Sequence, residues 1–187
     1  MTDAARVDAG KPTLFVRKTV APDLDAVLEI ERHPDNSPFI GQWPRERHGA
    51  VIERPDGEHW VIVPEGNCSP IGYLIAFDLT AEGFGVWIQR IAISSRSRGI
   101  GRAVLGAYLA NAIRRFRADS ATLDVMPANL RAQRMYRALG FVEAGLAGAE
   151  RKRLAGLVGG LDDDGIIMRL AGESLPTQGG YRVQISD

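Results

Sequence analysis

The sequence RSRGIGR at residues 96–102 is the segment on which the fold prediction depends. It lies between an apolar stretch typical of a strand, residues 86–93, and residues 99–117, whose apolar positions follow the helical period. Glycines let the backbone approach an anion without a Cβ atom in the way, and the first turn of a helix offers unpaired N–H groups and a positive dipole end. The segment therefore predicts a phosphate or pyrophosphate site at the start of this helix, and a glycine-rich turn with surface arginines is the alternative. The residues expected to surround the anion are Arg96, Arg98, Gly99, Ile100, Gly101 and Arg102.

A second segment, NLRAQRMYRALGF at residues 129–141, follows a predicted strand at residues 121–125. Together the two segments resemble the GNAT superfamily of N-acetyltransferases. Their phosphate-binding loop reads Q/R-x-x-G-x-G/A, and N-x-x-A-x-x-x-Y-x-x-x-G-F follows the next strand. The resemblance is clear over residues 86–141 and looser over residues 14–170. Residues 31–43 are similar to a subset of these enzymes.

The periodicity predicts an α+β fold in a single domain, residues 1–170. Strands are expected at residues 14–18, 59–63, 71–77, 86–93, 121–125 and 166–170, and helices at residues 23–31, 44–52, 99–117 and 130–139, with extended structure from residue 141 onward. The resemblance implies a central mixed, mostly antiparallel, splayed sheet flanked by helices. Residues 171–187 form a tail for which an added edge strand and a subunit contact, as in a homodimer, are the two alternatives.

Charge is distributed unevenly along the chain. The 187 residues include 23 basic and 23 acidic side chains, but residues 90–153 hold 13 basic and 4 acidic ones, a net charge of +9. A basic segment favours a polyanionic partner. The coenzyme implied by the resemblance, acetyl-coenzyme A, fits that charge better than nucleic acid, for which the chain has no reading module.

Composition excludes several classes of protein. The chain is 45% apolar and has no apolar run of the roughly 20 residues that a bilayer helix needs, so neither disorder nor a membrane partner is expected. Cys68 is the sole cysteine, which excludes internal disulfides and cysteine-based metal cages. Residues 1–12 lack the apolar core of a secretory signal, so a cytoplasmic location is expected. The three histidines have no metal-ligand spacing; surface or turn positions are expected for them, and no metal site.

The resemblance also implies roles for individual residues. Pantetheine is expected between the strands at residues 86–93 and 121–126, with its amides bonded by the strand backbone. Ile91, Ala92 and Ile93 are expected coenzyme contacts, and the backbone N–H groups around Ala92 and Ile93 are the candidates for holding the thioester carbonyl. Asn129 is a coenzyme contact, a helix N-cap or both. Tyr136 matches the tyrosine that protonates the leaving thiolate, since a phenol of pKa near 10 suits that task, and a packing role is its alternative.

The general base is where the sequence departs from many relatives. They place a glutamate on the strand before the phosphate loop, and the matching positions here are Trp87 and Gln89. Three alternatives remain open: an acceptor amine that needs no base, a catalytically silent acyl-coenzyme A-binding or sensor module, or a water chain to a distant carboxylate. The candidates for that carboxylate are Glu29, Glu31, Asp78 and Glu82.

The acceptor is expected to be a primary amine, with a small molecule favoured over a protein amine. The segment between the first two helices lines the acceptor cleft in this class of fold. Its apolar residues together with nearby carboxylates would suit a cationic amine. The residues in question are Glu31, Asp35, Phe39 and Trp43.

Overall fold

The structure is a computed structural model, and it describes residues 10–94, 99–172 and 180–186. Within these ranges the chain forms eight strands and five α-helices. The strands are β1 (Thr13–Lys18), β2 (Gly57–Pro64), β3 (Gly72–Leu79), β4 (Gly85–Ile93), β5 (Ser120–Val125), β6 (Val142–Glu143), β7 (Ile166–Ala171) and β8 (Arg182–Ser186). The helices are α1 (Leu24–Arg32), α2 (Arg45–Glu53), α3 (Ile100–Phe116), α4 (Leu130–Ala138) and α5 (Gly148–Val158).

One sheet holds the described strands in the order β6-β7-β5-β4-β3-β2-β1-β8. β1 to β4 form an antiparallel meander, β4 and β5 run parallel, and β7 is antiparallel to both β5 and β6. The expected mixed, mostly antiparallel sheet flanked by helices is confirmed. In the tail, β8 pairs in parallel with β1 at the sheet edge.

Apolar side chains cover both faces of the sheet, because successive residues of a strand point to opposite sides. On β2, Trp60 and Ile62 belong to a core that α3 and α4 cover, while Val61 and Val63 belong to a core under α1, α2 and α5. The long helix α3 is buried along most of its length. The sheet is therefore the middle layer of a three-layer structure.

Helix α5 corrects the expectation that residues from 141 onward are extended. The Glu150 side chain accepts a hydrogen bond from the Ala147 N–H, which caps the start of the helix, and Gly159 ends it with a φ of 78°. Leu154 and Val158, one turn apart, are its buried members. With only two buried positions, this segment shows little of the apolar periodicity from which a helix is predicted, and so the helix was missed. No helix among the described residues is both long and apolar enough to cross a membrane.

Candidate active site

β4 and β5 separate part-way along their length. Their parallel pairing runs from Val86 opposite Ala121 to Ile88 opposite Leu123 and ends there. Both strands continue, β4 to Ile93 and β5 to Val125. A wedge-shaped gap therefore opens in the sheet beyond residues 88 and 123, and unpaired backbone groups of both strands line it.

A β-bulge on β4 lies at the start of this gap. Ile75 of β3 pairs with Arg90 and the next residue pairs with Ile88, so Gln89 is the extra residue. A bulge bends and twists its strand. It therefore helps to turn the end of β4 away from β5.

The register with β3 determines which amides face the gap. The Ser94 N–H donates to the Ile71 carbonyl at 2.7 Å, and amides along a strand point alternately to its two sides. The N–H of Ala92 therefore faces β3, and those of Ile91 and Ile93 face the gap. For Ala92 the expectation of a backbone N–H available to the coenzyme is wrong, because the ladder with β3 uses that group.

The N-terminus of α3 lies directly after this stretch. Gly99 precedes the helix with a φ of 94°, a conformation that side-chain-bearing residues rarely adopt. A Cβ atom on Gly101 would lie 3.2 Å from the Met135 sulfur, so this glycine lets α3 approach α4. Ile100 is buried, Arg102 is exposed, and the first turn holds no acidic residue. Arg96 and Arg98 lie outside the described residues.

Asn129 begins α4 on the other side of the gap. Its side-chain oxygen accepts a hydrogen bond from the Ala132 N–H at 3.1 Å, so it is an N-cap. Its amide nitrogen has no partner among the described residues. That donor remains available for a ligand.

Tyr136 lies on the buried side of α4, with 8% of its surface exposed. Its ring packs at 5.8 Å from that of Phe141, and its hydroxyl has no hydrogen-bond partner among the described residues. Burial, with the charge of Asp124 second, raises the pKa of Tyr136 well above its usual value of 10. The phenol therefore keeps its proton throughout the physiological range.

Asp124 is a candidate that the sequence analysis did not include. It lies on β5 one residue beyond the last pair with β4, at the edge of the gap. Its carboxylate accepts one long hydrogen bond, 3.4 Å, from the Asp162 N–H. Burial raises the pKa of Asp124 above the ordinary 3.8. A carboxylate of raised pKa that borders the gap suits proton acceptance.

The β4 positions expected to lack a base do lack one. Trp87 is fully buried and its indole N–H donates to the Gln89 side-chain oxygen at 2.8 Å. Of the distant carboxylates, Glu29 is exposed on α1 and Asp78 binds the Thr80 hydroxyl and N–H. Glu82 lies in the turn between β3 and β4, 3.8 Å from Arg153.

Glu31 is completely buried beside the end of β4. Oε1 accepts hydrogen bonds from the Tyr73 hydroxyl at 2.6 Å and from Arg90 at 2.8 Å, and Oε2 accepts from the Trp43 N–H at 3.0 Å. Burial by itself would raise the pKa of Glu31, but these donors and His48 hold it below its ordinary value. Glu31 was expected to contact a cationic acceptor. That expectation is corrected, because internal partners saturate its carboxylate.

His48 and His59 form a buried chain with Glu31. His48 Nε2 lies 3.4 Å from Glu31 Oε1, His48 Nδ1 lies 3.0 Å from His59 Nε2, and His59 Nδ1 lies 2.8 Å from the Thr19 hydroxyl. Burial, followed by the charge of His48, lowers the pKa of His59 to about 3. The Thr19 hydroxyl can donate to His59 Nδ1 and the His59 Nε2–H to His48 Nδ1, whereas His48 Nε2 makes no hydrogen bond to the described residues despite lying near Glu31. The expectation of surface or turn positions for these two histidines is wrong.

The loop between α1 and α2 covers the cluster of Glu31, His48 and His59. Trp43 is buried, whereas Phe39 is exposed and Asp35 is half-buried. The Asn36 side chain donates to the Ile30 and Ile93 carbonyls at 2.9 and 3.0 Å, which ties the loop to the end of β4. Asn36 thus lies beside the end of β4 that lines the gap.

The sequence of residues 24–141 matches the acetyltransferase (GNAT) family, and this range includes the gap, α3 and α4. The chain belongs to this family. It is therefore an enzyme of the acyltransferase class. No curated protein sequence is similar enough to this acetyltransferase to count as a match.

Solved structures of similar fold support the architecture. Spermidine N-acetyltransferase from Vibrio cholerae, in complex with coenzyme A and spermine, is 15% identical and has a TM-score of 0.68 over 87% of this acetyltransferase and 97% of that chain. The ribosomal-protein-S18-alanine N-acetyltransferase of Escherichia coli is 18% identical, with a TM-score of 0.61 over 89% and 96% of the two chains. A domain from Methanocaldococcus jannaschii is 16% identical, with a TM-score of 0.65 over 86% and 99%. At these identities the likeness establishes the fold alone.

Proposed function

We propose that this acetyltransferase moves the acetyl group of acetyl-coenzyme A to a primary amine by direct transfer in a ternary complex. The observation that carries the proposal is the end of β4–β5 pairing at Ile88 and Leu123, with β4 the strand that precedes α3 in the chain. A narrow gap lined by unpaired amides suits an amide-containing arm, and a helix N-terminus suits phosphates. The thioester carbonyl would then lie near the amides of Ile91 and Ile93.

Asp124 and Tyr136 supply the two proton transfers. As the amine nitrogen bonds to the acetyl carbon and the carbon–sulfur bond breaks, Asp124 accepts the proton that the amine loses, directly or through one water. The Tyr136 hydroxyl donates its proton to the departing sulfur. Burial favours the neutral form of each group. It strengthens the carboxylate as a base and keeps the phenol protonated until the sulfur departs, while making the phenol a weaker acid than a free tyrosine.

The absence of a carboxylate at Trp87 and Gln89 was the reason for considering a silent acyl-coenzyme A-binding module. A base on β5 removes that reason. Direct transfer fits the position of Cys68, which lies in the exposed loop between β2 and β3 and not at the gap. The neighbours are named for spermidine and for an alanine of a ribosomal protein, so both small-molecule and protein amines stay open, with the small molecule favoured.

The proposal is tested by calorimetric titration with acetyl-coenzyme A and by thiol release over a panel of amines, diamines, amino acids and peptides. We expect binding, and turnover with at least one amine. Binding without turnover across the panel would support the silent module. Absence of binding would overturn both readings.

A matched pair of variants locates the bound donor. Arg102 lies in the first turn of α3 and Arg114 in its last turn, both exposed, roughly 18 Å apart at 1.5 Å per residue. Arg102→Ala should weaken acetyl-coenzyme A binding by roughly 2- to 10-fold, because one charge near the phosphates is lost. Arg114→Ala should leave the Kd unchanged.

A further inference from the structure

Trp43 holds two arginines against its indole. The guanidinium carbons of Arg47 and Arg90 each lie 3.9 Å from the centroid of a Trp43 ring. Cations bind aromatic faces in this way, but two of them on one side chain repel each other. The pair therefore needs negative charge close by.

The two arginines differ in their counter-charge. Arg90 donates to the Glu31 carboxylate at 2.8 Å and to the Gly41 carbonyl. Arg47 donates only to the Gly159 carbonyl, at 3.4 Å, and forms no ion pair with any carboxylate among the described residues. Arg47 is exposed; burial of part of its side chain and the like charge of Arg90 lower its pKa, and the charge of Glu31 raises it in part. One positive charge in this cluster is uncompensated.

Arg47 and Asp124 flank the same short segment of chain. Gly159, whose carbonyl Arg47 contacts, is three residues before Asp162, whose N–H binds the Asp124 carboxylate. Three residues span at most about 11 Å. Residues 159–162, here called the rim segment, thus contact the Arg47 guanidinium at one end and the carboxylate of Asp124, the proposed proton acceptor, at the other.

We propose that Arg47 binds a carboxylate carried by the acceptor, so that the acceptor is a small amino-carboxylate compound. This inference rests on the proposed function, since it assigns the amine end of the molecule to Asp124. It replaces the earlier expectation of a cationic amine held by Glu31 and Asp35, because internal partners occupy the Glu31 carboxylate. The exposed side chains of Asp162, Asp163 and Asp164 adjoin the Asp124 end of the rim segment, where they favour the ammonium end of the same molecule.

The test compares α-, β-, γ- and longer ω-amino acids with their carboxamides in the thiol-release assay. The wild type should turn over the carboxylates with a kcat/KM at least about tenfold higher. Arg47→Ala should abolish the preference by raising KM, with kcat and the Kd for acetyl-coenzyme A unchanged. Arg45→Ala is the matched control on the same helix, because Arg45 is already paired with Asp25, and it should keep the preference.

A readout that does not need turnover separates this inference from the proposed function. N-acetylated amino acids, the expected products, should bind to the wild type in calorimetry and at least about tenfold more weakly to Arg47→Ala. Equal turnover of carboxylates and carboxamides, or a preference that survives Arg47→Ala, would overturn the inference and leave acetyl transfer intact. If no amine is turned over, the proposed function is contradicted, and the binding experiment decides the inference by itself. The inference then fails if the N-acetylated amino acids bind equally to the wild type and to Arg47→Ala, or bind to neither.

Discussion

Replacing Asp124 with asparagine should separate catalysis from stability. Asparagine has the same shape and keeps an oxygen that can accept the Asp162 N–H, but it cannot take a proton. A positioned general base contributes about 10²- to 10⁴-fold, or roughly 3–5 kcal/mol of barrier. We therefore expect kcat to fall by at least about 100-fold, with the Kd for acetyl-coenzyme A unchanged.

The effect on stability should have the opposite sign. Because burial raises the pKa of Asp124, the folded protein binds this proton more tightly than the unfolded chain. This contribution to stability is present in full below the unfolded pKa and is lost as the pH rises through the folded pKa. At pH 7 the asparagine variant should therefore be at least as stable as the wild type in thermal unfolding.

The pH profile supplies a second signature of Asp124. In the wild type, kcat/KM should fall on the acid side with a pKa above the 3.8 of an ordinary aspartate, and this limb should disappear in Asp124→Asn. The exposed Asp119→Asn, directly before β5, is the control and should keep the limb. A variant Asp124→Asn with full activity, or one that loses activity only as its Tm falls, would refute the reasoning.

Three further substitutions test other parts of the structure. Tyr136→Phe should lower kcat by roughly 10- to 100-fold with little change in the KM for acetyl-coenzyme A or in Tm, because only an unpartnered hydroxyl is lost; steady-state kinetics measures this. Glu31→Gln should lower the free energy of unfolding by about 3–5 kcal/mol in urea titrations, because Arg90 loses its buried counter-charge. Gly85→Ala should destabilise the protein more than Gly83→Ala, although both glycines have positive φ. A Cβ atom on Gly85 would lie closer to the Ser120 backbone than van der Waals contact allows, whereas one on Gly83 would meet no atom within 4 Å.

Each of these three predictions has an outcome that contradicts it. An unchanged kcat across pH in Tyr136→Phe would leave the tyrosine a packing residue. Glu29→Gln, on the exposed side of the same helix as Glu31, should cost less than about 0.5 kcal/mol, and an equal cost for both variants would argue against the buried cluster. Equal destabilisation by the two glycine substitutions would mean that backbone conformation, not close contact, limits Gly85.

The part of the site that depends on local sequence could be predicted. Gly99 directly precedes α3 in the chain, and the N-cap Asn129 directly precedes α4. Their geometry therefore depends on neighbouring residues and can be predicted from local sequence. The long amphipathic helix α3 and the strands of the meander were visible as periodic apolar patterns for the same reason.

Residues that act across strands could not be found in this way. Asp124 borders the gap because β4 pairs with β5 only as far as Leu123, and that register is set by the whole sheet. His48 and His59 lie on a helix and a strand, and they are buried where α2 packs on β2. A sequence signal for Asp124 did exist: it is the one charged residue of the strand at residues 120–125, and it lies five residues before Asn129.

Residue-resolved hydrogen exchange with and without acetyl-coenzyme A tests the central claim most directly. If the donor occupies the gap, the amides of Ile91 and Ile93 and the first turn of α3 should exchange more slowly in the complex, while those of the edge strand β8 should not change. Tight binding that leaves the amides of Ile91 and Ile93 unchanged, or that protects β8 instead, would contradict the account.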